Sequence, residues 1–182
     1  MKQKKIIGDQ SRFAIEYSFC NDAHDTEMAM FINGSNILAY RCNGKQLTTR
    51  WNLDELAVWL RDFLDEMKED PYPVDCEGQY AAQKDDVARD FDSDDDAVFD
   101  EYYQKLYDWN LRHRWHAASG GAILADVYFQ LKDDCVEISW NNKMPEDGVE
   151  FLNEIGGARV CKTEFVSIVD EFLKDYAEHW FA

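Results

Sequence analysis

Four carboxylates in one acidic segment stand at the spacing that calcium-binding loops use. Asp90, Asp92 and Asp94 fill the first, third and fifth positions of the EF-hand pattern, and Glu101 fills the twelfth. Oxygen ligands at these positions would suit Ca²⁺. Asp95 replaces the loop glycine, and a side chain opposes the left-handed turn needed there. In so acidic a segment the spacing also arises by chance, so calcium binding remains only an alternative.

A second group of residues that could do chemistry lies in the sequence LRHRWH. His113 and His116 stand one helical turn apart, and Arg112 and Arg114 flank them. Two imidazoles at this spacing could serve as general acid and base, or bind a nucleotide with the arginines. We favour a simpler interpretation, a helix end whose cations complement the helix dipole and pair with nearby aspartates. Trp115 is then expected to be exposed beside the arginines, as binding hot spots often are.

The common motifs of enzyme chemistry are absent from the sequence. It contains no HExxH, no P-loop, no GxSxG and no GxGxxG. Asp126, at the start of a predicted strand, could act as a catalytic carboxylate, but no partner for it can be identified from the sequence. We therefore predict a protein that is not an enzyme, with no catalytic residue, no metal ligand and no cofactor.

The overall charge narrows the range of partners. The chain has 182 residues with 37 acidic and 19 basic side chains, which gives a net charge of −18 and a pI of about 4.4. Such a surface repels nucleic-acid phosphates and anionic membranes, and no apolar run approaches the roughly 20 residues of a membrane span. A basic protein is the partner that this field attracts best, although strong charge can also serve solubility alone.

Two thirds of the excess charge lie in less than a quarter of the chain. Between Arg61 and Glu101, sixteen acids and four bases give a net charge of −12, whereas the rest of the chain, with twenty-one acids and fifteen bases, contributes −6. Apolar residues at helical spacing interrupt these acids, so the segment should fold and present one negative face. The predicted partner-binding residues are Asp85, Asp86, Asp90, Asp92, Asp94, Asp95, Asp96, Asp100 and Glu101.

The cysteines indicate a reducing compartment. The chain has five of them, an odd number, without a CxxC pair or zinc-ligand spacing: Cys20, Cys42, Cys76, Cys135 and Cys161. Most lie in apolar stretches, where a free thiol behaves as a small hydrophobic side chain. The N-terminal sequence MKQKKIIGDQSRF lacks the apolar stretch of a signal peptide. We expect a cytoplasmic protein with five free thiols.

Alternating apolar residues predict antiparallel strands in two parts of the chain. In the first fifty residues, RFAIEYSF, EMAMFIN, NILAYRC and LTTRW are separated by turn sequences, including NGSN and Asn43-Gly44, and form a meander. VYFQL and VEISW form a later hairpin that turns near Asp133-Asp134. The stretch that follows, with Pro145, Gly148, Gly156 and Gly157, is predicted to be a loop.

Helical periodicity predicts the remaining elements. Asn52 should cap a helix whose apolar face is Leu53, Leu56, Ala57, Leu60, Phe63, Leu64 and Met67. Tyr80, Lys84, Val87 and Phe91 suggest a short helix. Ser93 should cap the next, with Phe99, Tyr102, Leu106 and Trp109 facing inward, and a last helix begins near Glu164. The order predicts an α+β fold over a single domain, residues 1–182, in which an antiparallel sheet built from the N-terminal meander and the later hairpin packs against amphipathic helices.

In size, acidity, α+β make-up and lack of a catalytic motif, the chain resembles small acidic bacterial immunity proteins. These are the cytoplasmic inhibitors that neutralise nuclease toxins of contact-dependent inhibition and related polymorphic-toxin systems. The resemblance extends loosely over the whole chain. It implies tight binding to one cognate toxin, often a basic RNase or DNase. Because these proteins share no single fold, it implies no roles for individual residues.

Two other functions fit the same composition. A phage inhibitor of a DNA-binding defence enzyme could place carboxylates where that enzyme expects phosphates. Such a mimic needs its acids in a long double row, because DNA carries about one charge per 1.7 Å of its axis. The acids here are compact in sequence, which favours a patch. An uncharacterised enzyme or regulatory domain, with the acids serving solubility, is the other alternative.

Overall fold

The structure is a computed structural model that describes residues 4–18, 26–65, 70–115, 124–143 and 148–180, with side chains up to residue 178. Its strands are β1 Lys4–Asp9, β2 Phe13–Ser18, β3 Thr26–Ile32, β4 Ser35–Asn36, β5 Ala39–Cys42, β6 Lys45–Trp51, β7 Val127–Lys132, β8 Cys135–Asn141, β9 Val149–Phe151 and β10 Ile155–Cys161. Its helices are α1 Leu53–Asp65, α2 Ala81–Ala88, α3 Asp96–His113 and α4 Lys162–Trp180. No described helix combines the length and apolar composition that crossing a bilayer requires.

The described strands form two antiparallel sheets, which confirms the predicted α+β class. The larger sheet runs in the order β1-β2-β3-β6-β5-β9, with β4 beside β3, and the smaller one runs β10-β8-β7. Both predicted Asn-Gly turns are present, with positive φ at Asn33 and Gly34 (49° and 83°) and at Asn43 and Gly44 (50° and 76°). These angles suit the tight turns that match the twist of a hairpin.

The sheets contain three strands that the sequence patterns did not predict. Strand β1 extends the N-terminal strands by pairing with β2. Strand β9 joins the larger sheet beside β5, and β10 joins the smaller sheet beside β8. The prediction of a loop before the last helix is therefore wrong for most of residues 149–161. Within the larger sheet, β6 lies between β3 and β5.

The main core lies between the sheets and the helices α1 and α4. Leu56, Leu60 and Phe63 are buried there, as the predicted apolar face of the helix requires, and so are Ile138 and Phe172. Leu173 is half-buried and packs against the same cluster. Helix α1 begins after Asn52, whose side chain accepts a hydrogen bond from the backbone N–H of Asp54 at 3.0 Å. Phe19 and Met67 lie outside the described residues.

A second, smaller core attaches the acidic segment to the opposite face of the β10-β8-β7 sheet. It contains the buried residues Tyr72, Ala81, Ala82, Ala88, Leu106, Trp109 and Tyr128. Helix α2 begins against β8, where Glu137 Oε1 accepts from the N–H of Ala81 at 2.9 Å and Ser139 Oγ from that of Ala82 at 3.1 Å. These bonds satisfy N–H groups that a helix start otherwise leaves unpaired. The sheet thus fixes α2, and α3 packs beside it.

Candidate functional site

The loop between α2 and α3, together with the first turns of α3, carries most of the predicted partner-binding carboxylates. We call the exposed carboxylates Asp90, Asp92, Asp94, Asp95, Asp96, Asp100 and Glu101 the acidic face. The loop is held against α3 by two tyrosines. Tyr102 stacks on Phe91 with ring centroids 3.8 Å apart, and the Tyr103 hydroxyl lies 2.9 Å from the carbonyl oxygens of both Arg89 and Phe91. The acidic face is therefore a folded surface.

Helix α3 is capped by Asp95, two residues beyond the Ser93 cap that we predicted. Asp95 Oδ1 accepts from the N–H groups of Ala97 at 2.9 Å and Val98 at 3.3 Å. Ser93 instead supports the loop, because its hydroxyl accepts from the N–H of Asp95 at 3.2 Å. A carboxylate at this position also complements the positive end of the helix dipole.

Asp85 differs from the other predicted site residues because it is only 1% exposed. Its carboxylate accepts from Arg89 at 2.6 Å, from the Tyr128 hydroxyl at 2.8 Å and from the Asn110 side chain at 3.0 Å. The pKa of Tyr128 lies above its usual range, mainly because its hydroxyl is buried and secondly because the negatively charged Asp85 carboxylate lies nearby. Asp85 thus joins α2, α3 and β7 inside the protein, and the surface available to a partner excludes it.

Two of the predicted acids are paired with lysines of this chain. Asp86, half-buried, accepts from Lys143 at 2.7 Å and from Asn141 at 2.8 Å, and these hydrogen bonds lower its pKa. Glu101 pairs with Lys105, one turn along α3, at 2.7 Å, and its pKa is lowered by that hydrogen bond. The charges of both acids are partly neutralised within the protein.

Five carboxylates of the acidic face have no such partner in the part of the chain that is described. They are Asp90, Asp92, Asp94, Asp96 and Asp100, all exposed and none in an ion pair with a described cation. Their like charges lie close together along the loop and one helical turn. An external cation would relieve this repulsion, so the arrangement favours a positively charged partner.

Apolar side chains lie exposed on α3 beside these acids, and sequence reasoning missed them. Tyr107 is 60% exposed, Leu111 50% and Val98 48%. Phe99, predicted to face inward, is 37% exposed, whereas Leu106 and Trp109 are buried as expected. Because residues four apart nearly align on a helix, Tyr107 and Leu111 lie almost in line along its side; we call these two residues the apolar row. Phe99 lies about 80° around the helix from Tyr107. The sequence signal of the apolar row was the i, i+4 spacing of two apolar residues.

The described part of the LRHRWH segment, up to Trp115, makes its contacts inside the protein. Arg112 donates to Asp70 at 2.7 Å, and the His113 ring, 4% exposed, lies between the Phe129 carbonyl at 2.8 Å and Asp70 at 3.1 Å. Burial opposes ionisation of Asp70, but the hydrogen bonds from Arg112 and His113 outweigh it and lower its pKa. The prediction of an exposed Trp115 is wrong, because it is 4% exposed.

The candidate catalytic residues do not come together in an active site within the described residues. Asp126 pairs with Arg114, and Arg89 lies 3.7 Å from it. His116, the other half of the predicted histidine pair, lies outside the described residues. These contacts agree with the interpretation of the cluster as cations paired with aspartates near a helix end.

The backbone at the near-EF-hand does not adopt a calcium-loop conformation. Asp95, at the position of the loop glycine, has a φ of −100° and caps α3, whereas an EF-hand needs a sharp turn there. Glu101, the would-be bidentate ligand, lies inside α3 and pairs with Lys105. Among the described residues, no three His, Cys, Asp or Glu side chains lie close enough together to hold a metal ion.

Comparisons with known proteins find a structural similarity but no sequence relative. No family model matches the chain, and no curated protein matches it by sequence. Among solved structures, the crystal structure of CdiI from Burkholderia dolosa AUO158 is similar, with a TM-score of 0.46 and 13% sequence identity over 94% of this chain and 99% of that one. At this score the similarity establishes neither a shared fold nor a shared function.

Proposed function

We propose that this protein is a cytoplasmic immunity protein that binds and neutralises a cationic nuclease toxin. Among nucleases, we propose that the toxin is an RNase. The acidic face makes the contact. The observation that carries the proposal is the group of five exposed carboxylates without a described cation partner, next to an exposed apolar row. The class of partner follows from chemistry, because an RNase must hold phosphates and its substrate cleft is therefore basic.

The acids and the apolar row have different tasks in such an interface. The carboxylates attract the toxin over a distance of about one Debye length, roughly 8 Å at physiological salt, and raise the association rate. Exposed apolar and aromatic side chains such as Tyr107 supply the area that becomes dry on contact, where most binding energy resides. On α3, Asp96, Asp100, Tyr107 and Leu111 fall within one sector of the helix surface at 100° per residue, so one partner surface can reach all four.

The distribution of charge favours a toxin cleft over mimicry of DNA. The acids are concentrated in the loop and in the first turns of α3, from Asp96 to Glu101, a helical rise of only about 8 Å. Beyond them α3 carries Lys105, Tyr107 and Leu111 and a single further acid, Asp108. A DNA mimic would continue its acids along an extended rod, with about one charge per 1.7 Å. The observed patch fits a compact basic cleft better.

Co-expression tests the proposal directly. The toxin domain encoded next to the gene for this protein should arrest growth when expressed alone, and this protein should restore growth. The purified pair should form a stable complex in which nuclease activity is lost. If the neighbouring gene encodes no nuclease domain, or if growth is not restored by a well-expressed protein, the proposal fails.

A further inference from the structure

Two cysteines face each other across adjacent strands of the smaller sheet. In the antiparallel register of β8 with β10, Cys135 is directly opposite Cys161. Residues opposite one another in an antiparallel pair project their side chains from the same face of the sheet. Neither thiol is fully buried, since Cys135 is half-buried and Cys161 is exposed. The two side chains therefore leave the same face of the sheet, at the end where β8 begins and β10 finishes.

The hydrogen-bond pattern places the two cysteines in the closer type of strand pair. The backbone N–H of Lys162 donates to Asp134 O at 2.8 Å, and that of Asn142 donates to Glu154 O at 2.6 Å. The first bond joins the residues that flank the Cys135–Cys161 pair, and the second joins those that flank the Asn141–Ile155 pair. Bonds between flanking residues mark a non-hydrogen-bonded pair, and the two pair types alternate along an antiparallel ladder. Both pairs, six residues apart on β8, are therefore non-hydrogen-bonded. Such pairs have Cα atoms about 4.5 Å apart, within the range of roughly 4.4–6.8 Å that a disulfide spans.

Cys161 is the more reactive of the two thiols by its position. It directly precedes α4, and its sulfur lies 3.2 Å from the Thr163 hydroxyl. The Thr163 hydroxyl and the backbone N–H groups of Thr163 and Glu164 hold the pKa of Cys161 below its usual range. A thiolate stabilised at a helix N-terminus and open to solvent is the form that attacks peroxides and disulfides.

We propose that Cys135 and Cys161 are a redox pair, which closes to a cross-strand disulfide when the protein meets a peroxide and reopens in the presence of a thiol reductant. The Cys161 thiolate attacks one peroxide oxygen and the O–O bond breaks. This gives Cys161 sulfenic acid and hydroxide, which takes up a proton to become water. The Cys135 sulfur then attacks the Cys161 sulfur, the S–S bond forms and the sulfenic oxygen leaves as water. Two thiols are oxidised and one molecule of hydrogen peroxide is reduced to two waters.

The link would join strands that hold the acidic segment in place. The bonds from β8 to the start of α2 come from Glu137 and Ser139, two and four residues beyond Cys135 and on the same face of the sheet. Fixing β8 to β10 at Cys135 therefore stiffens the support of α2 at one end. Disulfide formation between these two cysteines does not depend on the proposed toxin binding, and each can be tested without the other.

Mass spectrometry of the full chain tests this pair. The reduced protein, freed of reductant, is treated with hydrogen peroxide, its remaining thiols are alkylated under denaturing conditions, and it is digested. We expect a peptide linking Cys135 to Cys161, with the other three of the five cysteines alkylated. Cys42→Ser, in the larger sheet, should leave the link unchanged. Cys135→Ser should instead leave a sulfenic acid on Cys161 that dimedone traps.

Thermal unfolding adds a second measurement that does not depend on any variant folding correctly. The oxidised wild type should unfold at a temperature about 5–10 °C above the reduced one, because the link restricts the unfolded chain, and reductant should reverse the shift. The inference would be overturned by five alkylated cysteines after peroxide, by a link to another cysteine or between two molecules, or by an unchanged unfolding temperature in the linked protein.

Discussion

Replacing Asp85 by Asn separates the acid that supports the fold from the acids that face solvent. The change keeps the size of the side chain but removes its charge. An amide has one oxygen to offer, whereas the carboxylate of Asp85 accepts from Arg89, Tyr128 and Asn110 at 2.6, 2.8 and 3.0 Å. The NH₂ group of the introduced asparagine would face at least one of these donors and could not accept from it. Water cannot fill the gap, since Asp85 is 1% exposed.

The size of the effect follows from burial and charge. Breaking a buried ion pair costs about 3–5 kcal/mol, and losing one hydrogen bond to a charged group costs about 1.5–3 kcal/mol. The Arg89 side chain is 47% exposed and has Asp126 3.7 Å away, so part of its charge stays compensated. We therefore expect Asp85→Asn to lower the free energy of unfolding by about 2–4 kcal/mol. The exposed, unpaired Asp94→Asn should change it by less than about 0.5 kcal/mol.

Urea denaturation followed by tryptophan fluorescence measures both variants. The midpoint should fall for Asp85→Asn with the slope unchanged, and it should stay at the wild-type value for Asp94→Asn. Equal stabilities for the two variants would refute the assignment of Asp85 to the interior. The same assignment would fail if Asp85→Asn kept full stability yet lost binding to the toxin.

Other predictions follow from the packing, the helix cap and the ion pairs. Leu60→Ala and Phe172→Ala should each lower the free energy of unfolding by about 2–5 kcal/mol; a loss below about 0.5 kcal/mol in urea would contradict the core assignment. Asp95→Ala should cost about 0.5–2 kcal/mol, whereas Asp95→Asn, an equally good cap, should cost little by the same measurement. Because the pKa of Asp70 is lowered in the folded state from 3.8, its stabilisation is present above that pH and lost as pH falls through the folded value. Acid unfolding of Asp70→Asn should therefore depend less on pH, and an unaltered profile would count against the pairing. Before any oxidation, alkylation after denaturation should modify all five cysteines, and a stable disulfide would argue against a reducing compartment.

The fold class could be predicted because local patterns and turn residues determine it. The alternation of apolar and polar residues predicted β2 and β3, and the two Asn-Gly pairs adopt the positive φ angles that their turns require. Strand β10 was missed because Gly156 and Gly157 suggest a loop. In the structure, a Cβ at Gly156 would lie 2.5 Å from the Trp140 ring, and one at Gly157 would lie 2.5 Å from the Tyr80 ring. Tertiary contacts with aromatic rings thus explain these glycines, and no local pattern reveals such contacts.

In the acidic segment, too, tertiary contacts decide what the sequence could not predict. The sequence located the concentration of charge, but it could not show which aspartate is buried. Ala81, Asp85 and Ala88 form the inner face of α2, at a spacing of four and three residues that does suit a helix face. The alanines of this face are less apolar than Val87, which is 48% exposed, so the hydrophobic pattern pointed to the wrong side of the helix.

Two charge variants isolate the contribution of the acidic face. One neutralises four acids within it, as Asp92→Asn, Asp94→Asn, Asp95→Asn and Asp96→Asn. The other neutralises four exposed acids elsewhere, as Asp134→Asn, Glu154→Gln, Asp170→Asn and Glu178→Gln. Both carry the same net charge, so they differ only in where the charge is lost. Asn at position 95 still caps α3, and circular dichroism should show that both variants keep the wild-type fold.

Association kinetics with the nuclease toxin test the central claim most directly. For the wild type, raising the salt concentration should slow association much more than it speeds dissociation. The variant of the acidic face should bind at least about tenfold more slowly at low salt and lose most of this salt dependence, whereas the control variant should stay close to wild type. If the variant of the acidic face bound as fast as wild type at every salt concentration and protected cells as well, the acidic face would be only a solvated surface.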